Sequence, residues 1–310
     1  MNERELLEAV GRLPKSIEPP RDLWPGIAAR LRRRWRRWYW IPVAAAAALT
    51  AVLIGRGGGD EVWTLTWLAG TGPGSLHVGE SVETNDSSRA VIQVGDIGHV
   101  EVKPGSRLRL LGATATDHRL ALDRGEIYAR VTAPPRLFFV ETPAGIAIDL
   151  GCAYTLRVDA AGNGFLEVTS GAVEFEWAGR HAIVPLTFRI EIRPGFGPGV
   201  PVVAGASDAF RGALAMLEFA GDQTALPRVL ALARPDDAIS LWHLLARTTG
   251  ASRVAVYERL AELVPPPAGV DREAVLRLDS RALDTYWNWL PHSVWLKGFK
   301  PPPIERRPTE

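Results

Sequence analysis

The sequence predicts a mainly β protein, an antiparallel sandwich or roll, with one N-terminal transmembrane helix ahead of it and an α-helical module behind. Three observations carry this. A charge-free stretch, Trp38 to Gly55, follows a run of arginines. Short alternating apolar runs broken by glycine fill residues 61–203. From Ser207 onward the apolar spacing turns helical. At 310 residues and 46% hydrophobic content, the chain has room for two modest domains and appendages.

Charge is unevenly spread. Residues 1–56 carry 11 Lys and Arg against 5 Asp and Glu, while the rest carries 25 against 30. The excess comes from Arg30 to Arg37, where six of eight residues are arginine. The 18 charge-free residues 38–55 reach roughly 27 Å as a helix, close to the hydrocarbon thickness of a bilayer. Arg32, Arg33, Arg34, Arg36 and Arg37 are expected to stay cytoplasmic, with Trp38 and Trp40 at the headgroup level. A cleaved signal peptide fits less well, because forty residues precede the apolar block and no small-residue cleavage site follows it. A soluble alanine-rich helix is the other alternative.

Ahead of the arginines, Asn2 can cap a short helix with Glu5 three residues on. Leu6, Leu7, Val10 and Leu13 fall on one face of it. After the breaker Pro14 to Pro20, a second helix begins near Trp24, with Leu23, Ile27 and Leu31 four apart. Two such helices are too small to bury their own stripe, so the stripe calls for a partner. A solvated tail with helical bias is the bland alternative.

In the β region, Trp63-Leu65-Trp67, Ala90-Ile92-Val94, Val100-Val102 and Leu108-Leu110 alternate as strands do. An internal repeat stands out. Leu120, Leu122, Gly125, Ile127, Ala129 and Val131 recur 46 residues on as Leu166, Val168, Gly171, Val173, Phe175 and Trp177. A weaker copy occupies Val100, Val102, Gly105 and Leu108. In the two strong copies, two polar residues precede the glycine, which reads as a hairpin turn. Cys152, the sole cysteine, cannot form an internal disulfide and reads as a buried, inert thiol.

Beyond Ser207, about four helices punctuated by Pro227, Pro235, Gly250 and Pro265 to Pro267 are expected, with Asp237 and Ser252 as N-caps. A further helix runs near Asp279 to Leu290, ahead of a proline-rich, disordered tail. Tyr286, Trp287, Trp289 and Trp295 read as core aromatics in preference to a ligand platform.

Little in the sequence suggests chemistry. His77, His99, His118, His181, His243 and His292 form no H-x-x-x-H pattern, and no cysteine sits at metal-ligand spacing. The glycine-rich Gly70 to Gly79 lacks G-x-G-x-x-G and reads as a hairpin loop. Asp236-Asp237 reads as helix capping. No catalytic residue, cofactor or metal is expected, and a hydrolase is disfavoured. The arginine run abuts the predicted bilayer, which argues against direct nucleic-acid binding.

The residues Leu122-Asp-Arg-Gly125-Glu-Ile127, Phe139-Val140-Glu-Thr142-Pro143-Ala-Gly145, Asp149-Leu-Gly151 and Val168-Thr-Ser-Gly171-Ala-Val173 resemble the FecR domain, over roughly 90–185. That family includes membrane-bound regulators of iron-transport genes. The order of basic head, single span and outer β-domain is similar too. With the charge and periodicity readings, the resemblance divides the chain into a head at 1–37, a span at 38–55, a periplasmic FecR-like domain at 56–206, a helical module at 207–300 read from its apolar spacing, and a tail at 301–310. It also implies an inner-membrane signal transducer, an anti-sigma factor whose Leu6, Leu7, Val10, Trp24, Ile27 and Leu31 hold an extracytoplasmic-function sigma factor, with an envelope protein or ligand as outer partner. A membrane-anchored envelope scaffold, its basic head resting on anionic lipid, is the rival reading.

Overall fold

The computed structural model describes residues 62–290. The predicted head, span and tail lie outside them, as do His292 and Trp295. Among the described residues no helix is long and apolar enough to cross a membrane. The described residues all belong to one compact unit, within Asp60–Glu310.

Strands come first. They are β1 (Trp63–Ala69), β2 (Ser75–Leu76), β3 (Ser81–Glu83), β4 (Arg89–Val94), β5 (Gly98–Val102), β6 (Arg107–Thr114), β7 (Asp117–Val131) and β8 (Phe138–Thr142). Next are β9 (Gly145–Asp149), β10 (Ala153–Val158), β11 (Gly164–Ser170), β12 (Ala172–Trp177), β13 (Arg180–Pro185), β14 (Phe188–Arg193), β15 (Gly197–Pro198) and β16 (Val202–Val203). They form two sheets that share β7. One runs β1-β4-β5-β7-β10-β11-β14, with β15 and β16 on β14, and the other runs β3-β6-β7-β8-β9-β12-β13. Among the described residues every pairing is antiparallel except β7 with β8.

The expected alternation is present. Trp63 and Leu65, Ala90, Ile92 and Val94, Val100 and Val102, and Leu108 and Leu110 all face the core. The glycine-rich loop closes the β1–β2 hairpin and folds over Trp67, whose indole Nε1 donates to the Pro73 carbonyl at 2.9 Å.

The repeat is real, but its glycines are not hairpin turns. β7 is one continuous 15-residue strand. Up to Arg124 it pairs with β6, and from Gly125 it pairs with β10 and β5. Gly125 marks the point where the strand leaves one sheet for the other. Likewise β11 pairs with β10 and β14 while β12 pairs with β9 and β13, so Gly171 joins two sheets. The weaker copy does the same between β5 and β6 at Gly105. At two of these crossings the bend leaves no room for a side chain. Gly125 has φ +98° and a Cβ there would lie 2.3 Å from Ser106 Cα. Gly171 has φ +68° and a Cβ there would lie 2.1 Å from the Gly151 carbonyl oxygen. Asp123-Arg124 and Thr169-Ser170 are the polar residues at these corners, where the chain comes to the surface.

Helices follow: α1 (Asp208–Phe219), α2 (Leu226–Leu232), α3 (Ala238–Arg247), α4 (Gly250–Leu263), α5 (Arg272–Leu276) and α6 (Ser280–Trp287). Ser207, Asp271 and Asp279 cap α1, α5 and α6 by accepting backbone N–H groups. Two expected caps differ. The Asp237 carboxylate turns back to the Arg234 amide at 3.0 Å and caps no α3 amide. Ser252 lies inside α4, which already starts at Gly250. There the Arg253 guanidinium Nε donates to the carbonyls of Leu245 and Thr248, joining the end of α3 to the start of α4. Strands and helices share one continuous core.

Candidate functional site

The sequence-derived sigma-factor contacts Leu6, Leu7, Val10, Trp24, Ile27 and Leu31, and the anchor residues Arg32, Arg33, Arg34, Arg36, Arg37, Trp38 and Trp40, all lie outside the described residues. What the structure adds is a set of buried charges where the helices meet the end of a sheet.

The strand β13 ends its sheet, leaving every second backbone group facing away from β12. Two of those groups are taken by α3. The Ile183 amide donates to His243 Nε2 at 3.1 Å, and the His181 carbonyl accepts from Arg247 Nη2 at 3.2 Å. His243 and Arg247 are four apart and so share a helix face. Because Nε2 must accept, the imidazole carries its proton on Nδ1, which donates to the Ile239 carbonyl at 2.8 Å. Burial holds His243 far below its usual range, at about 3, so it is neutral at physiological pH.

Arg247 reaches further. It also donates to the Gly199 carbonyl at 3.3 Å and forms an ion pair with Glu218 of α1. Glu218 accepts as well from Arg180 of β13 at 2.9 Å, and both Glu218 and Arg247 are nearly out of solvent. Burial lowers Arg247 to about 10 against the opposing pull of Glu218, which leaves it cationic at neutral pH. Arg180 donates to the Pro198 carbonyl at 3.0 Å and lies over the Phe196 ring. One carboxylate therefore ties α1, α3 and β13 together. Trp242 and Trp287 pack edge to face at 4.8 Å beside the His243 ring, and Tyr286 donates to the Val264 carbonyl at 2.6 Å. Core packing is the role of Tyr286 and Trp287, whereas Trp289 lies exposed with its Nε1 on the Pro265 carbonyl.

A second cluster occupies the β12–β13 hairpin. Glu174 is fully buried, with one oxygen 2.5 Å from Arg136 Nη2 and the other 3.2 Å from His181 Nδ1. Glu176 approaches the same His181 nitrogen at 3.7 Å. Two carboxylates and an imidazole could hold a divalent cation, since their ligand atoms lie within 4.8 Å of one another. The Arg136 guanidinium already neutralises the buried carboxylate, however, so the arrangement is complete as an ion-pair network. Arg136 itself adopts φ 66°, held by its amide on the Asp149 carbonyl at 2.8 Å.

The third cluster contains the expected buried thiol. Cys152 Sγ donates to Asp149 Oδ2 at 2.5 Å, and Asp149 Oδ1 accepts the Gly151 amide at 2.7 Å. Burial raises Asp149 to about 6 and, with the nearby carboxylate, pushes the Cys152 thiol well up. A thiol held protonated in this way is a poor nucleophile. Asp149 and Gly151 thus shape the bend between β9 and β10.

Sequence reasoning missed the Arg180–Glu218–Arg247 group, which no local spacing announces. A cationic residue four after a histidine on an apolar helix was the only available signal.

Residues 80–174 match the family model described as FecR protein. No curated protein matches the chain. Two crystal structures, each described as "a putative anti-sigma factor" from Parabacteroides distasonis ATCC 8503, are similar to it at 16% and 15% identity. They cover 40% and 48% of this chain and 59% and 74% of their own, with TM-scores of 0.36 and 0.35. The chain thus spans less than two thirds of the first of these.

Proposed function

We propose that this chain, which carries a FecR domain at residues 80–174, is a single-pass inner-membrane signal transducer that controls an extracytoplasmic-function sigma factor. One observation carries the reading. The FecR match lies just beyond the arginine run 30–37 and the charge-free stretch 38–55, the order of a cytoplasmic head, a span and an outer domain. In this reading the head (Leu6, Leu7, Val10, Trp24, Ile27 and Leu31) holds the sigma factor, and the β-rich domain with its helices receives the signal outside. The link between α1, α3 and β13 supports it, because helices tied to strands by a buried carboxylate move with them. The reading assigns the chain no catalytic step and no cofactor.

Full-length protein tagged at both ends and expressed in bacterial cells provides the test. Protease added outside should remove the C-terminal tag and spare the N-terminal one, and the protein should co-purify with a sigma factor. Recovery of the intact chain in the soluble fraction, or cleavage of both tags from one side, refutes the topology. Recovery without a sigma factor refutes the regulatory role. The six arginines at 30–37 favour one rival, a scaffold whose head rests on anionic lipid. In that case deleting residues 2–29 leaves transcription unchanged.

A further inference from the structure

Around the sheet-crossing corner of β7 lies a cleft of about 520 Å³ whose wall holds Arg89, Lys103, Arg124 and Arg157 with Glu126 and Asp159. The cations arrive from four separate places, and register explains why. Ala90 of β4 pairs with Val102 of β5, which pairs with Ile127 of β7, which pairs with Leu156 of β10. These four side chains are buried in the core. One residue along, the same register aligns Arg89, Lys103, Glu126 and Arg157 in a row across four adjacent strands. The Lys103 amide on the Glu126 carbonyl at 3.0 Å and the Arg157–Glu126 pairing fix that row. Because side chains alternate along each strand, the whole row faces outward.

Within the row, Arg89 and Lys103 stand opposite each other with like charge, an unfavourable pair. Partners are also missing. Among the described residues neither the Arg89 nor the Arg157 guanidinium has a hydrogen bond or ion pair, while Lys103 pairs with Glu101 at 2.7 Å and Arg124 only approaches Glu83 at 4.0 Å. The Asp159 carboxylate is committed to its own turn, accepting the Ala161 and Asn163 amides. Glu126 is the remaining anion in the row.

We infer that this cleft binds a phosphomonoester. The Arg89 and Arg157 guanidinium groups are free to donate to the oxygens of a tetrahedral oxyanion. The two guanidinium charges that no carboxylate pairs with, Arg89 and Arg157, answer a group carrying about −1.5 to −2 charge at neutral pH. The same chemistry is offered by a free phosphorylated metabolite and by a phosphorylated lipid headgroup. The inference concerns the cleft alone and stands apart from any sigma-factor role.

Calorimetric titration of the full-length protein with inorganic phosphate, and separately with water-soluble dihexanoyl phosphatidic acid, tests it. Acetate and dihexanoyl phosphatidylcholine serve as controls. Phosphate binding is expected to weaken at least roughly tenfold in the R89Q/R157Q double variant, which loses two charge-assisted contacts. R189Q, at an arginine paired elsewhere with Glu191, should bind as the parent does. Both changed residues are exposed, so circular dichroism should show an unaltered fold. Binding of phosphate alone supports a free ligand, and binding of phosphatidic acid as well supports a headgroup. Unchanged affinity in R89Q/R157Q, acetate binding as tight as phosphate, or no binding of either phosphate probe overturns the inference.

Discussion

Replacing Gly171 by alanine asks whether the corner between β11 and β12 works as described. Two costs combine there. A non-glycine residue at φ +68° pays about 1–2 kcal/mol for the left-handed conformation. Its Cβ would also sit 2.1 Å from the Gly151 carbonyl oxygen and 3.1 Å from Cys152 Cα, both backbone atoms that cannot swing aside. Forcing the sheets apart adds about 1–3 kcal/mol, the usual cost of overpacking. Gly179, in the β12–β13 turn, is the natural control, because its φ of +76° is similar and a Cβ there meets nothing within 4 Å. Gly179→Ala should therefore lose only the conformational part, about 1 kcal/mol. Followed by tryptophan fluorescence, the melting temperature should fall by roughly 2–4 °C for Gly179→Ala and about three times as far for Gly171→Ala. Equal shifts would refute the idea that close approach of the sheets, and not φ alone, demands glycine at the corner.

Other outcomes follow from the buried charges. Glu218→Ala strands Arg247 without its anion and should cost about 3–5 kcal/mol in urea unfolding, whereas Glu218→Leu combined with Arg247→Met should cost clearly less than the two single changes added together. His243 is held near 3 in the folded protein against about 6.5 unfolded, so its contribution is complete above pH 6.5 and is lost as pH falls toward 3. His243→Gln should flatten stability over that window, as read by unfolding midpoints in a pH series. Asp149 runs the other way. Raised to about 6, it contributes most below its unfolded value near 3.8 and loses that contribution as pH rises to 6. Asp149→Asn should remove this decline and leave the His243 effect in place.

How far these features could be read from the chain depends on their range. Strands such as Ala90-Ile92-Val94 declare themselves, because alternation is a property of neighbours. The 46-residue repeat was equally visible, yet its geometry was not. A glycine after two polar residues serves a hairpin and a sheet crossing alike, and only the partners of β11 and β12 distinguish them. Cys152 was readable as a buried thiol, but its bond to Asp149 needed the bend at Gly151. Glu218 lies 38 residues from Arg180 and 29 from Arg247, so nothing local joins them. The row Arg89, Lys103, Glu126 and Arg157 is similarly a product of register, assembled from four segments that carry no common motif.

The way α3 meets β13 has a consequence for self-association. A terminal strand with free amides and carbonyls is a template onto which another chain can add, and here His243 and Arg247 occupy the positions that an incoming strand would use. The helices act as a stopper on the sheet as well as a neighbour of it. Cutting the chain after residue 206 would uncork that end, and the freed β-domain would be prone to stack edge on edge with its own copies.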